Sequence, residues 1–418
     1  MIARAPGRHA LLFILITIFA DTVAFGIIIP VLPKLIAELG DTSISEAASY
    51  GGLLMFVFAV MQFLFAPVIG NLSDRFGRRP VLLISLAALG IDYVIMGLAP
   101  SLVWLFLGRM VAGVAAATFA TANAYVADIT PDEQRAARFG LIGAAWGVGF
   151  VLGPAIGGLL GEMDMRLPFF AAAGLALANV VYGFVVLPET LARDRRRPFV
   201  LKRANPLGAI AGLARYPVIP GLLVAIVLYF IGHDVNPSTW TYYVLHKFQW
   251  SEGQIGLALA AVGLSSAVVS GTLVGPIVAR LGEARTAYLG FCMAALSCLG
   301  YAFASQGWMI FPSIAVGAFM GLVMPSLRSI MSQMVPEDGQ GELQGAIASL
   351  MGLTAIFAPL IMTQVFRYFS AQEAGVYFPG ASFLLAGLLM LLGALVVMAV
   401  LRHPSAPPGQ PSSETGDV

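Results

Sequence analysis

Long apolar runs separated by short polar stretches set the rhythm of this chain. Runs near or above 20 residues, each long enough to cross a bilayer as a helix, fall at 10–36, 46–70, 80–99, 102–126, 138–161 and 167–187. After a polar interval the rhythm resumes at 216–241, 252–280, 286–305, 308–332, 343–367 and 380–402. We number these spans 1 to 12. The pattern predicts an all-α integral membrane protein with twelve transmembrane helices in two six-helix bundles. The first run exceeds the roughly 7–15 apolar residues of a signal-peptide core and lacks a small-residue cleavage site, so it reads as a retained helix.

Composition agrees with that pattern. The 418 residues are 59% hydrophobic and 11% charged, with a mean hydropathy of +0.87. A soluble domain carries about 25% charged residues, so the bilayer must be the solvent for most of this surface. A net charge of +1 gives nucleic acid no electrostatic handle. Cys292 and Cys298 sit six residues apart on one predicted helix, so they do not face each other. No zinc-ligand spacing occurs.

Charge sets the orientation. With the N-terminus inside, 17 lysines and arginines fall in inner loops, and only Lys34, Arg166, Lys247 and Arg367 lie outside. This asymmetry predicts cytoplasmic termini in a cell membrane. Residues 188–215, carrying Arg193-Asp194-Arg195-Arg196-Arg197 and several prolines, form a cytoplasmic linker between an N-terminal bundle (1–187) and a C-terminal bundle (216–403). The linker's charge fixes topology first and meets anionic lipid second. The Pro-, Ser- and Gly-rich tail at 404–418 reads as disordered. A monomer is expected.

The bundles are related. Gly70-Asn71-Leu72-Ser73-Asp74-Arg75-Phe76-Gly77-Arg78-Arg79 is a charged, glycine-bearing hinge between spans 2 and 3. At an offset of 205 residues, Gly275, Arg280 and Gly282 repeat Gly70, Arg75 and Gly77. The same offset relates Pro131-Asp132-Glu133 to Pro336-Glu337-Asp338, Gly140 to Gly345 and Pro154 to Pro359. A constant offset at separated places indicates a parallel duplication. Asp74 becomes Ala279 and Arg78 becomes Glu283 in the repeat, so the turn was kept and the charges were not. In the first copy Arg78 can reach Asp128 at the inner end of span 4, and Gly70 and Gly77 allow close approach and turning. The plainer reading of the hinge is a turn with positive-inside charges, Arg75, Arg78 and Arg79 among them.

Acids deep inside spans are Asp21 (span 1), Asp92 (span 3) and Asp234 (span 7), with Arg109 (span 4) the deep cation. A mid-bilayer charge costs about 2.5–3.5 kcal/mol on insertion scales, so such a group faces a cavity or a partner. Asp92 and Arg109 read either as a packing ion pair or as a proton-coupling site, since a carboxyl with alternating access to water can bind and release protons. Span 7 carries Gly232-His233-Asp234-Val235-Asn236-Pro237-Ser238-Thr239-Trp240. There Pro237 would break the helix and free carbonyls toward a cavity, with His233 a proton partner; the alternative is a structural polar cluster near the outer mouth. Gln62, Asn123, Tyr125, Tyr229, Trp240 and Gln333 are cavity candidates. For the amides interhelical hydrogen bonding competes, and for the aromatics the interface belt does. Arg328 reads as snorkelling to the inner interface.

Gly149, Gly153, Gly157 and Gly158 with Pro154 permit tight packing and a kink in span 5. They are no dinucleotide loop, because no strand precedes them, and no phosphate loop with Gly-Lys-Ser/Thr occurs. ATP therefore does not drive the protein. No nucleophile–base pair, metal cluster or cofactor loop points to an enzyme.

Gly70 to Arg79 resembles the loop 2–3 signature of the major facilitator superfamily, and Gly147 to Gly158 resembles its antiporter motif. Ile29-Pro30-Val31-Leu32-Pro33, Met61 to Pro67, Ser73 to Pro80, Asp92-Tyr93, Gly108-Arg109 and Gly341 to Gly345 are similar to bacterial tetracycline/proton antiporters. The resemblance implies proton-coupled efflux of a small organic substrate by alternating access, with the proton gradient as energy source and no cofactor or bound metal. It places functional acids at Asp21 and Asp92 and the span 4 arginine at Arg109. It also implies that Asp74 meets the start of span 11 near Gly341, where the helix dipole favours an anion. Where those antiporters carry an aspartate in span 9, this chain has Ala294, which weakens the case for a metal chelate as cargo; Asp234 is the candidate replacement. A metabolite or siderophore exporter, an importer and a non-transporting receptor are the competing readings.

Overall fold

The computed structural model describes residues 8–116, 125–126, 130, 132–191, 196, 216, 218–336, 339–371 and 375–402. Among them ten helices are long and apolar enough to cross a membrane, and span 1 makes an eleventh as a bent pair. Span 4 is described as a helix over Leu102–Ala115. The expected linker at 188–215 lies mostly outside the described residues, as does the tail.

Several spans differ from the uniform helices that hydropathy predicts. Span 1 is not one helix over 10–36: Arg8–Ile28 and Leu32–Gly40 meet at a 46° bend. Pro30 has no N–H for the next helical bond, and Ile29 N–H closes a tight turn on the Gly26 carbonyl (3.2 Å) instead. Span 7 divides into Ile219–His233 and Val235–Phe248. Span 8 runs from Glu252 to Leu281 with a π-helical turn at Val269–Leu273. Span 10 carries a 3₁₀ stretch at Ala318–Leu322 between Ile310–Gly317 and Val323–Met334. Such irregularities inside membrane helices fit positions that line a cavity.

The remaining spans follow local sequence rules. Span 2 (Ile44–Phe76) and span 8 both start on reciprocal caps, Ser43 with Glu46 and Ser251 with Gln254. Span 3 (Arg78–Leu98) and span 9 (Glu283–Phe303) start after Gly77 (φ +109°) and Gly282 (φ +75°). Both turn glycines thus adopt the conformation that favours glycine, as the 205-residue offset leads one to expect. Spans 5 (Asp132–Met163), 6 (Leu167–Val186), 11 (Gln340–Ser370) and 12 (Ala381–Arg402) complete the order. Pro154 and Pro359 lie inside spans 5 and 11. Outward residues such as Ile84 (69% exposed), Val185 (77%) and Leu257 (66%) form an apolar surface suited to lipid.

Among the described residues the two sets of six spans meet toward one end, the end with the 41–43, 164–166 and 249–251 connections. There Lys34 pairs with Glu252 (2.6 Å). Glu162 accepts hydrogen bonds from Ser251 Oγ (2.8 Å) and Gly253 N (3.2 Å). Gly51 lies under Tyr242, Gly52 under Thr363, Gly158 under the Glu252 carbonyl and Gly256 under the Pro154 carbonyl. At the other end, a Cβ on Gly70, Gly140, Gly143, Gly271, Gly275 or Gly341 would meet no described atom within 4 Å. The molecule is closed at the first end and splayed at the second.

Candidate functional site

The three acids inside spans share a level. Asp21, Asp92 and Asp234 lie 13, 14 and 15 residues (21 − 8, 92 − 78, 234 − 219) beyond the starts of spans 1, 3 and 7. At 1.5 Å per residue each is about 20 Å from the splayed end.

Asp92 is fully buried and ion-paired with Arg109. Gly108 makes this contact possible, because a side chain there would collide with the Asp92 carboxylate. The guanidinium also touches Met96 Sδ (3.2 Å) and lies 5.6 Å from the Phe58 ring centroid. Among the described residues Asp92 Oδ1 and Arg109 Nε have no hydrogen-bond partner. Tyr93, also buried, lies within electrostatic reach of Asp21, Asp92 and Arg109. Asp92 and Arg109 thus form one contact pair beside Tyr93, with Asp21 within electrostatic reach of that tyrosine.

Span 7 holds its polar cluster apart from these groups, and it breaks at Asp234, not at Pro237. Pro237 occupies the first turn of Val235–Phe248. The His233 carbonyl, which would bond a Pro237 N–H, accepts from Asn236 Nδ2 (3.1 Å). The Asp234 carbonyl accepts from Ser238 N (3.1 Å) and Oγ (2.6 Å). The carbonyls expected to open toward a cavity are thus satisfied locally, as buried backbone requires. Asp234 Oδ2 is buried without a partner among the described residues. His233 is exposed and stacks on Tyr229 (5.7 Å, 26°). Ala294 is fully buried in an apolar cluster with Phe291 and Ala295.

Four cavity expectations are corrected by burial or position. Tyr125 is fully buried and donates to the Pro188 carbonyl (3.0 Å). Trp240 is 2% exposed and packs edge-on against Trp250. Gln333 sits at the splayed end and donates to both Glu283 carboxylate oxygens (3.1 and 3.0 Å). Tyr229 is buried against Phe291. Gln62 is half-buried on span 2 and Arg328 is exposed. Asn123 lies outside the described residues.

At the hinge, Asp74 pairs with Arg78 (2.6 Å), which also donates to buried Ser73 Oγ (2.9 Å). Arg75 stands over Phe76, and Arg79 Nη2 donates to the Phe184 carbonyl (2.6 Å). Asp128 lies outside the described residues. The meeting of Asp74 with the start of span 11 is expected of the outward-open state; at this splayed end no described atom lies within 4 Å of a Cβ on Gly341. Sequence reading missed Glu189. Its carboxylate accepts from the backbone N–H of Arg78 (2.9 Å), Arg79 (3.3 Å) and Leu191 (3.0 Å), stabilising the positive end of span 3. An acid directly after span 6 and beside a basic hinge was the available signal.

The glycines of span 5 have assigned neighbours. A Cβ on Gly149 would strike Thr22, on Gly153 the Val23 carbonyl, and on Gly157 the Ile27 carbonyl, all in span 1. Gly158 faces span 8.

Apolar spans sealed at one end and splayed at the other, with ionisable side chains buried midway, define a multi-pass membrane transporter. The chain belongs to the major facilitator superfamily, whose model matches residues 14–242 and 222–417. It is 41% identical over 360 residues to the tetracycline resistance protein, class C, of Escherichia coli, covering 86% of this chain and 90% of that protein. It is 37% identical over 411 residues to the class G protein of Vibrio anguillarum, covering 96% and 98%. Among solved structures it resembles a bacterial homolog of the human lysosomal transporter Spinster, captured inward-facing and unoccupied (TM-score 0.75, 16% identity, 96% and 98% covered). The human organic anion transporter MFSD10 is a second likeness (TM-score 0.69, 22% identity, 93% and 99% covered). These two likenesses concern the fold alone.

Proposed function

We propose that this protein exports a tetracycline-like drug from the bacterial cytoplasm across the inner membrane in exchange for protons. The observation that carries this reading is Asp92, a fully buried carboxylate with Arg109 on one oxygen and, among the described residues, no partner on the other. Protonation would cancel its attraction to Arg109 and loosen spans 3 and 4. Asp21, near the same tyrosine, offers a second acceptor at the same depth. With both termini cytoplasmic, the splayed end is the inner mouth, where substrate enters and protons leave. The sealed end, held by Lys34, Glu252 and Glu162, is then the outer gate.

The halves at 1–187 and 216–403 rock about these contacts, and the protein works as a monomer without cofactor. Names of relatives at 37–41% identity support a drug as cargo. The test is a resistance panel in a bacterial host lacking its own pumps, comparing wild type with Asp21→Asn at matched expression. Tetracycline resistance that needs Asp21 is expected; resistance to no drug in the panel would refute drug export.

A further inference from the structure

Span 5 exposes side chains on two flanks that differ in extent. Leu141, Val148, Leu152, Leu159 and Met163 form a stripe over residues 141–163, each more than 40% exposed. Such a continuous apolar stripe is a lipid face. Trp146 and Phe150 lie on the other flank by helical phase, and exposure there is confined to the half nearer the inner mouth. Beyond them Gly153 and Gly157 close span 5 on span 1, and Gly158 closes it on span 8. The flank thus opens only where the two halves separate, as the wall of a central cavity must.

The two rings are stacked, with centroids 5.2 Å apart and planes within 13°. Trp146 is 47% exposed. Gly149, between them in the chain, packs on Thr22 and Phe19, which sets the stack level with Asp21. Gly143 and Gly147 leave the surrounding space open, with no described atom within 4 Å of a Cβ on either. Phe25, one turn beyond Asp21 on span 1, is also 47% exposed.

We infer that Trp146 and Phe150 form a stacking platform in the inner cavity for a planar fused-ring substrate, with Asp21 and Phe25 at its side. A near-parallel ring pair offers a flat apolar face, and a third ring system laid against it gains the same offset-stacking contact. The inference rests on the export reading, because only a cavity-borne cargo would use this face. It adds that substrate shape is read by span 5, outside the buried acids.

The test uses purified full-length protein in nanodiscs, with tetracycline as probe and binding measured by calorimetry and by tryptophan emission. Trp146→Ala should weaken binding about three- to tenfold. Trp146→Phe should keep affinity within about twofold while losing the largest part of the emission quench. Size-exclusion profiles and melting temperatures of both variants check folding, and the phenylalanine variant keeps the ring that packing needs. Aqueous iodide should quench Trp146, whereas acyl-chain-brominated lipid should not. Unchanged affinity in Trp146→Ala, or quenching by lipid alone, would overturn the platform while leaving export intact. No tetracycline binding by wild type would overturn both.

Discussion

The outer gate can be weakened one charge at a time. Lys34→Ala removes the cation facing Glu252, whose side chain is 11% exposed while that of Lys34 is 39% exposed. An exposed pair contributes about 0–1 kcal/mol, whereas stripping the partner from a fully buried charge costs about 3–5 kcal/mol. This half-exposed pair falls between, at about 1–2 kcal/mol, equivalent to a factor of about 5–30 in the equilibrium. An outward-open fraction of about one in a hundred would rise to between about one in twenty and one in four. The assay is a spin-label distance across the outer face, from labels at Pro100→Cys and Ser305→Cys, both exposed positions in connections, with Cys292 and Cys298 replaced by alanine. Lys34→Ala should add a longer-distance population, and the exchange Lys34→Glu with Glu252→Lys should remove it. Distance distributions identical with and without Lys34→Ala would refute the gate, as would a charge exchange that fails to restore the original distribution.

Two further perturbations probe packing and the buried pair. Gly157→Ala drives a methyl group into the Ile27 carbonyl; overpacking of this kind costs about 1–3 kcal/mol. It should lower the melting temperature and transport, whereas Gly147→Ala, with open space around it, should leave the melting temperature unchanged. Arg109→Ala strands the buried Asp92 charge and should cost about 3–5 kcal/mol, read as lost thermal stability in detergent. Adding Asp92→Asn should recover most of that stability without restoring proton-driven transport.

Much of the fold was legible because the bilayer imposes a coarse rule that hydropathy reads directly. The duplication was legible because Gly77 and Gly282 need a backbone conformation few other residues accept. The breaks in spans 1 and 7 were half-legible: Pro30 and Pro237 announce irregularity, yet the actual break in span 7 lies at Asp234, because Asn236 and Ser238 re-satisfy the carbonyls around it. The acids stood out by their cost in lipid, so Asp92 and Arg109 were found as a pair. Tyr125 and Trp240 misled because an aromatic in a span carries no mark of which way it faces; only packing against Pro188 or Trp250 decides. The contacts of Glu162, Lys34 and Glu252 were invisible for a different reason. Their partners lie far away in the chain, and a polar residue near a helix end gives no local sign of its contact. The Trp146–Phe150 stack required the contrast between a longer and a shorter exposed flank, which exists only once the halves are placed.

The central claim is that Asp92 couples protons to drug export. Its most direct test is proton movement in proteoliposomes carrying an internal pH dye, driven by a tetracycline gradient alone. Wild type should move protons against the direction of tetracycline flow, and Asp92→Asn, while still binding tetracycline, should move none. Proton movement in Asp92→Asn at the wild-type rate would contradict the account.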